Sequence, residues 1–188
     1  GIPDRLFRRD HVPMTKEEIR VVVLSKLRLR EDLTLWDVGA GTGTIAIEAA
    51  RLLSRGVVFA IEKNEVAMRL IKENALLFGV ENVIPVWGEA PEVLDTLPDP
   101  DRVFVGGSGG RLRAILKVVD KRLKEDGVIV VSGVTLETVT EAVSVLEDQN
   151  FSCAVVLLQY AFGELLGGKH LLRAANPVYV IQGERKHS

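Results

Sequence analysis

The run Leu33–Ala50, LTLWDVGAGTGTIAIEAA, passes within a few residues from a short apolar strand, through Asp37-Val38-Gly39-Ala40-Gly41-Thr42-Gly43, into a helical pattern. Glycines in such a turn let the backbone adopt positive φ and approach a ligand closely. A helix starting near Thr42 or Gly43 presents unpaired N–H groups with partial positive charge. The spacing is Gly-x-Gly-x-Gly, without the helix-packing third glycine of the dinucleotide fingerprint. Asp37, directly before the loop, adds negative charge, which suits a nucleoside carrying an ammonium or sulfonium better than one carrying phosphates. Asp37, Gly39, Ala40, Gly41, Thr42 and Gly43 are therefore candidate cofactor-binding residues.

Outward from this stretch, short β-branched runs alternate with longer helical ones. Strands are expected at Thr34–Val38, Val57–Ile61, Val83–Val86, Arg102–Val105, Val128–Ser132, Ser152–Gln159 and Pro177–Ile181. The first five are separated by helix-like segments, the pattern of parallel βαβ units covered on both faces. Thr15-Lys16-Glu17-Glu18 reads as a capping box opening a helix that carries Ile19, Val22, Val23 and Leu27 on one face. Asn64 is placed to cap another helix and Gly79 to end it. Arg111–Leu123 and Leu136–Glu147 complete the set. After residue 150 the alternation stops, and the last two strands read as an antiparallel pair joined by Ala161–Asn176, which has no strong period. The fold class expected is α/β, a Rossmann-like doubly wound sheet in a single domain over residues 1–188, with residues 1–30 as a helical segment covering the cofactor site.

Strand ends supply further candidates. Glu62 closes the second strand 23 positions after Gly39, near the roughly 20 expected for a carboxylate that accepts from ribose hydroxyls. Gly88-Glu89-Ala90 follows the third strand, where an adenine would lie against Ala90 with Glu89 near its amino group. Gly106-Gly107-Ser108-Gly109-Gly110 follows the fourth, at the carboxyl edge where open α/β sheets bind ligands, and makes room for a bulky one.

Composition narrows the function classes. With 47% hydrophobic residues, mixed charges and a net charge of −2, the chain is an ordinary globular protein rather than a general nucleic-acid binder. No apolar run approaches the roughly 18 residues of a membrane span, and no signal-peptide pattern opens the chain, so the cytoplasm is the default. Cys153 is the only cysteine and the three histidines have no metal-ligand spacing, so no metal site is expected. Ser108 superficially resembles a nucleophile elbow, but no histidine base is identifiable for it. Neither Tyr160 nor Tyr179 has a lysine four residues later, which counts against a nicotinamide oxidoreductase.

Taken in order, Asp-Val-Gly-Ala-Gly-Thr-Gly at 37–43, Glu62, Gly-Glu-Ala at 88–90, Val-Gly-Gly-Ser-Gly-Gly at 105–110 and Thr-x-x-Glu-x-Arg from Thr15 resemble the decarboxylating precorrin carbon-15 methyltransferases of cobalamin biosynthesis. The resemblance runs from Ile2-Pro3-Asp4 to Asn176-Pro177-Val178. The glycine loop alone is common to very many methyltransferases; the 105–110 loop and the amino-terminal motif are more specific. The resemblance implies a seven-stranded sheet with its last strand pair antiparallel, S-adenosylmethionine as cofactor, and a homo-oligomer, a tetramer. It implies cofactor contacts at Thr15, Gly39–Gly43, Glu62 and Ala90, to which Glu89, Gly106 and Asp37 are added from the reading above. At 188 residues it implies the stand-alone form of the enzyme.

A tetrapyrrole with many carboxylates calls for cationic partners: Arg111, Arg113, Lys169, His170 and Arg173. Gly107 and Ser108 would meet the substrate, with Ser108 hydrogen-bonding near the reacting centre as the catalytic candidate. Phe162–Arg173 departs most from the family pattern, which points to it for substrate selectivity. An RNA or other small-molecule methyltransferase is the alternative; an RNA enzyme should show a basic stripe or stacking aromatics, and aromatics are only 5%.

Overall fold

The structure is a computed structural model and describes residues 1–186. Helix α1 (Glu17–Leu27) precedes β1 (Thr34–Val38), α2 (Thr44–Leu52), β2 (Val57–Glu62), α3 (Glu65–Leu77) and β3 (Val83–Trp87). A 3-10 helix, Glu92–Thr96, leads to β4 (Arg102–Val105), followed by α4 (Leu112–Arg122), β5 (Val128–Gly133), α5 (Leu136–Asp148) and β6 (Phe151–Leu158). Strands β7 (Ala161–Leu166), β8 (Lys169–Ala174) and β9 (Val178–Arg185) close the chain.

Seven strands form one sheet in the order β3-β2-β1-β4-β5-β9-β6. The first five are parallel; β9 runs antiparallel between β5 and β6. This is the doubly wound class I methyltransferase architecture, and its last strand pair is antiparallel as the sequence implies. The order reverses between β1 and β4, so their carboxyl ends diverge and open a crevice.

Strand alternation divides the core. Leu35, Val58, Ala60, Phe104 and Val130 pack with α1, α2 and α3 on one face. Trp36, Val38, Ile61, Val103, Val105 and Ile129 pack with α4 and α5 on the other. Both ends of α3 behave as expected. The Asn64 side chain accepts from the Ala67 N–H at 3.0 Å, and Gly79 ends α3 with φ +62°.

Two expectations are corrected. The capping box at Thr15 is not formed: α1 starts at Glu17 after Lys16, with no side-chain cap. Thr15 stays outside the helix because its carbonyl accepts from the buried Arg20 guanidinium at 2.6 Å. The aperiodic connection is a β-hairpin, β7–β8, paired only with itself and exposed at every residue. Its alternation is invisible in the sequence because neither face is buried against this chain. Among the described residues, no helix is long and apolar enough to cross a membrane.

Candidate active site

A cavity of about 410 Å³ opens at the β1–β4 crevice. Its floor is the glycine loop. The Gly39 and Ala40 N–H groups both donate to the Ile61 carbonyl at 3.0 Å, and Gly106 N–H donates to the Val38 carbonyl at 3.0 Å. At Gly39 φ is +71°, and a Cβ there would lie 2.4 Å from the Gly107 carbonyl oxygen. The loops after β1 and β4 thus touch backbone to backbone, and only glycine fits at position 39.

Glu62 ties this floor to the next wall. One carboxylate oxygen accepts from Gly41 N–H, and the other from Lys63 N–H and Asn64 N–H, each at 2.9 Å. A carboxylate offers about four lone-pair sites, so the half-buried Glu62 braces the loop and keeps acceptor capacity for a ligand. Glu89 also lines the cavity and pairs with Lys63 at 2.7 Å. Ala90 is buried in the wall beside it.

Asp37 behaves differently. By alternation it shares a face with Leu35 and points towards the α1–α3 layer, which buries it to 1% exposure. It does not line the cavity, and neither of its oxygens completes a hydrogen bond. Burial pushes its carboxyl from an ordinary 3.8 up to about 7; the Ala46 amide pulls it part of the way back, and the Glu62 charge adds to the rise. Thr42 is buried nearby in the chain with its hydroxyl unpartnered.

Gly107, Ser108 and Gly109 form the opposite wall, and His11, Val12 and Pro13 of the amino-terminal segment a further one. Ser108 and His11 share the cavity, but no hydrogen bond joins them, so they do not form an activated serine–histidine pair. The wall holds glycine backbone and acidic groups, and its one lysine, Lys63, is neutralised by Glu89. That donor set fits a cationic nucleoside and does not fit a pyrophosphate.

A sequence profile described as the precorrin methyltransferase domain matches residues 5–185. The chain belongs to the precorrin methyltransferase family. A probable cobalt-precorrin-6B C(15)-methyltransferase (decarboxylating) of Pyrobaculum calidifontis is 47% identical over 96% of this chain and 94% of its own length. The cobalt-precorrin-6B C(15)-methyltransferase (decarboxylating) of Salmonella typhimurium is 39% identical over 98% and 97%. The crystal structure of a precorrin-6y C5,15-methyltransferase from Geobacter metallireducens superposes with a TM-score of 0.94, at 45% identity over 98% of both chains.

Within this precorrin methyltransferase fold, Gly39, Gly41, Glu62, Glu89, Ala90, Gly107 and Ser108 are brought to the cavity as the sequence reading expected. Thr15, Asp37, Ala40, Thr42, Gly43 and Gly106 are close in chain but do not line it. Gly106 is turned away because its α-carbon faces the Phe104 ring, 2.8 Å from where a Cβ would lie. Arg111 is already held by Glu92, with Glu89 4.0 Å away. Arg113 faces Glu141 at 3.7 Å. Lys169, His170 and Arg173 sit on the exposed hairpin, outside the cavity wall, and Arg173 pairs with Glu164 at 3.3 Å. The sequence reading did not single out Lys63 or Asn64 for the cavity, nor His11–Pro13 within the segment 1–30 it expected to cover the site. Lys63 and Asn64 follow Glu62 directly, so the end of β2 was the available signal; nothing local marks His11.

Proposed function

We propose that this chain methylates a precorrin-type tetrapyrrole at carbon 15, with S-adenosylmethionine as donor, and releases carbon dioxide from the ring-C acetate, in cobalamin biosynthesis. The observation that carries this reading is the cavity at the β1–β4 switch point, walled by acidic groups and glycine backbone, in a chain whose full-length relatives bear that activity in their names. When bound, S-adenosylmethionine supplies a methyl group on a sulfonium, open to in-line displacement.

The protein's own residues position the reactants. Glu62 accepts from the ribose hydroxyls while bracing Gly41. Ala90 gives the adenine an apolar face and Glu89 receives its amino group. Gly39–Gly43 let the backbone approach the aminoacyl part, and Asp37 stabilises its positive charge through space from beneath the loop. Gly107 and Ser108 face the reacting carbon, with Ser108 as hydrogen-bond donor or acceptor there. Arg111 exchanges Glu92 for a substrate carboxylate, which its planar fork can grip at two points. No strong base is required, because an electron-rich meso carbon attacks directly and the conjugated macrocycle takes up the electrons left by carbon dioxide.

Lys169, His170 and Arg173 reach a substrate only across a contact between copies, so a homo-oligomer, a tetramer, belongs to the proposal. The exposed apolar residues Leu165, Leu166 and Leu172 on the same hairpin support it. A cytoplasmic setting and the absence of nucleic-acid and membrane partners complete the reading. Calorimetric titration tests the cofactor half: saturable binding of S-adenosylmethionine and none of NAD is expected, and the reverse preference overturns it.

A further inference from the structure

The segment ahead of α1 has no strand and no α-helix, only a 3-10 turn at Asp4–Leu6. Even so, it walls the cavity through His11, Val12 and Pro13. Such a strap needs anchors, and the structure has two buried ones. Arg20, fully buried on α1, reaches Asp4 at 2.5 Å, the Thr15 carbonyl at 2.6 Å, the Ile2 carbonyl, and Glu48 of α2 at 2.7 Å. This fixes the two ends of the strap.

The middle is fixed by one side chain. Asn74, on α3 and 0% exposed, accepts from Arg8 N–H at 2.8 Å and donates to the Arg8 carbonyl at 2.8 Å. Its amide also donates to the Thr42 carbonyl, inside the glycine loop, at 3.0 Å. Beside this bond the strap rests on the loop, with the Pro13 carbonyl 3.2 Å from where a Cβ on Gly41 would lie. Phe7 packs on Phe78 just past the end of α3, with ring centroids 4.7 Å apart.

We propose that Asn74 is a positioning residue for the cofactor, joining the strap and the glycine loop into one rigid cradle although it touches no ligand. The proposal rests on the cofactor reading of this cavity. Only an amide does this work: two donors and one acceptor are used at once, and aspartate would place acceptors against two carbonyls. Removing it leaves buried backbone groups on both loop and strap without partners. Asn82 is an internal control of the same chemistry. It donates to the carbonyls of Ala50, Leu53 and Gly56 at the far end of α2, away from the cavity.

The test compares Asn74→Ala, Asn82→Ala and Arg8→Pro with the wild-type chain by calorimetric titration with S-adenosylmethionine, alongside melting temperature and trypsin cleavage after Arg9, a site all the variants keep. Arg8→Pro deletes the N–H that Asn74 accepts while leaving the core intact, because Phe7 is already extended (φ −81°, ψ 141°) as a residue before proline must be. Asn74→Ala is expected to weaken binding about tenfold or more, and Arg8→Pro about threefold, each roughly one lost buried hydrogen bond or a part of one. Both should speed cleavage of the strap, whereas Asn82→Ala lowers the melting temperature with affinity unchanged. Wild-type affinity in Arg8→Pro together with either wild-type affinity or failure to fold in Asn74→Ala overturns the proposal, as does an equal loss of affinity in Asn82→Ala. A wild-type chain that binds no S-adenosylmethionine is a different result and overturns the cofactor reading itself.

Discussion

The glycine loop Gly39–Gly43, between β1 and α2, and the hairpin Ala161–Ala174, between β6 and β9, both contain glycines, and they are held in opposite ways. In the loop, Gly39, Ala40 and Gly43 donate to backbone carbonyls, Gly41 donates to Glu62, and the Thr42 carbonyl accepts from Asn74. In the hairpin the strands bond to each other, and Ala175 N–H closes the base on the Tyr160 carbonyl. Leu165 and Leu166 are each 68% exposed and Leu172 81%. The loop takes its shape from its own chain and presents backbone to a ligand. The hairpin presents apolar side chains whose burial has to come from elsewhere. Substitutions in the first should therefore damage ligand binding, and substitutions in the second should damage assembly.

The largest effect is expected at Gly39. Gly39→Val places a Cβ within contact of the Gly107 backbone and forces a branched residue to φ +71°. Overpacking and left-handed strain together should lower cofactor affinity on the order of 100-fold. Near-wild-type affinity by calorimetry would show that the two loops do not need to touch. Next comes Glu62→Ala, which removes the acceptor of three backbone N–H groups. Bonds to a charged acceptor are the stronger kind, so affinity should fall roughly 30-fold. Unchanged binding would remove the ribose assignment.

Asp37 gives a smaller, pH-dependent effect. Its folded-state value of about 7 lies above the ordinary 3.8. Between those values the folded chain holds a proton that the unfolded chain has released, so stability is highest near the lower value and falls as pH rises to about 7. Asp37→Asn should therefore raise the melting temperature at pH 8 and leave it little changed at pH 4. A bound cation favours the carboxylate, so wild-type affinity should fall by at most about tenfold per pH unit below pH 7. The asparagine variant should lose that slope; a slope retained in the variant would assign it to another group. The smallest effect on the cavity is expected from Leu165→Ser combined with Leu172→Ser. Cofactor affinity should stay within about twofold, while sedimentation shifts to a smaller species. An unchanged sedimentation coefficient would take the hairpin out of the interface.

The same contrast explains what the sequence made legible. Strands β1, β2, β4 and β5 are buried on both faces, so their β-branched runs stood out, and the turn at Gly39 could be read because position and residue type are locked together. Glu62 was visible from its distance to the loop. Asp37 was read as a charge close to the ligand; its burial under α2 follows from strand alternation, which assigns it the opposite face from Val38. Thr15 was assigned a capping role because the local pattern allowed one, and a long-range bond from Arg20 took its carbonyl instead. The anchoring of the amino-terminal segment by Asn74 was illegible for the same reason: residues 8, 42 and 74 meet only after the chain has folded. The hairpin was missed because its alternation encodes no face buried within the chain.

The most direct measurement incubates the protein with methyl-labelled S-adenosylmethionine and a cobalt-precorrin bearing the ring-C acetate, and follows the tetrapyrrole by mass spectrometry. The expected product has gained one labelled methyl group and lost one carbon dioxide. A tetrapyrrole that remains unchanged while label passes to RNA would contradict the assignment.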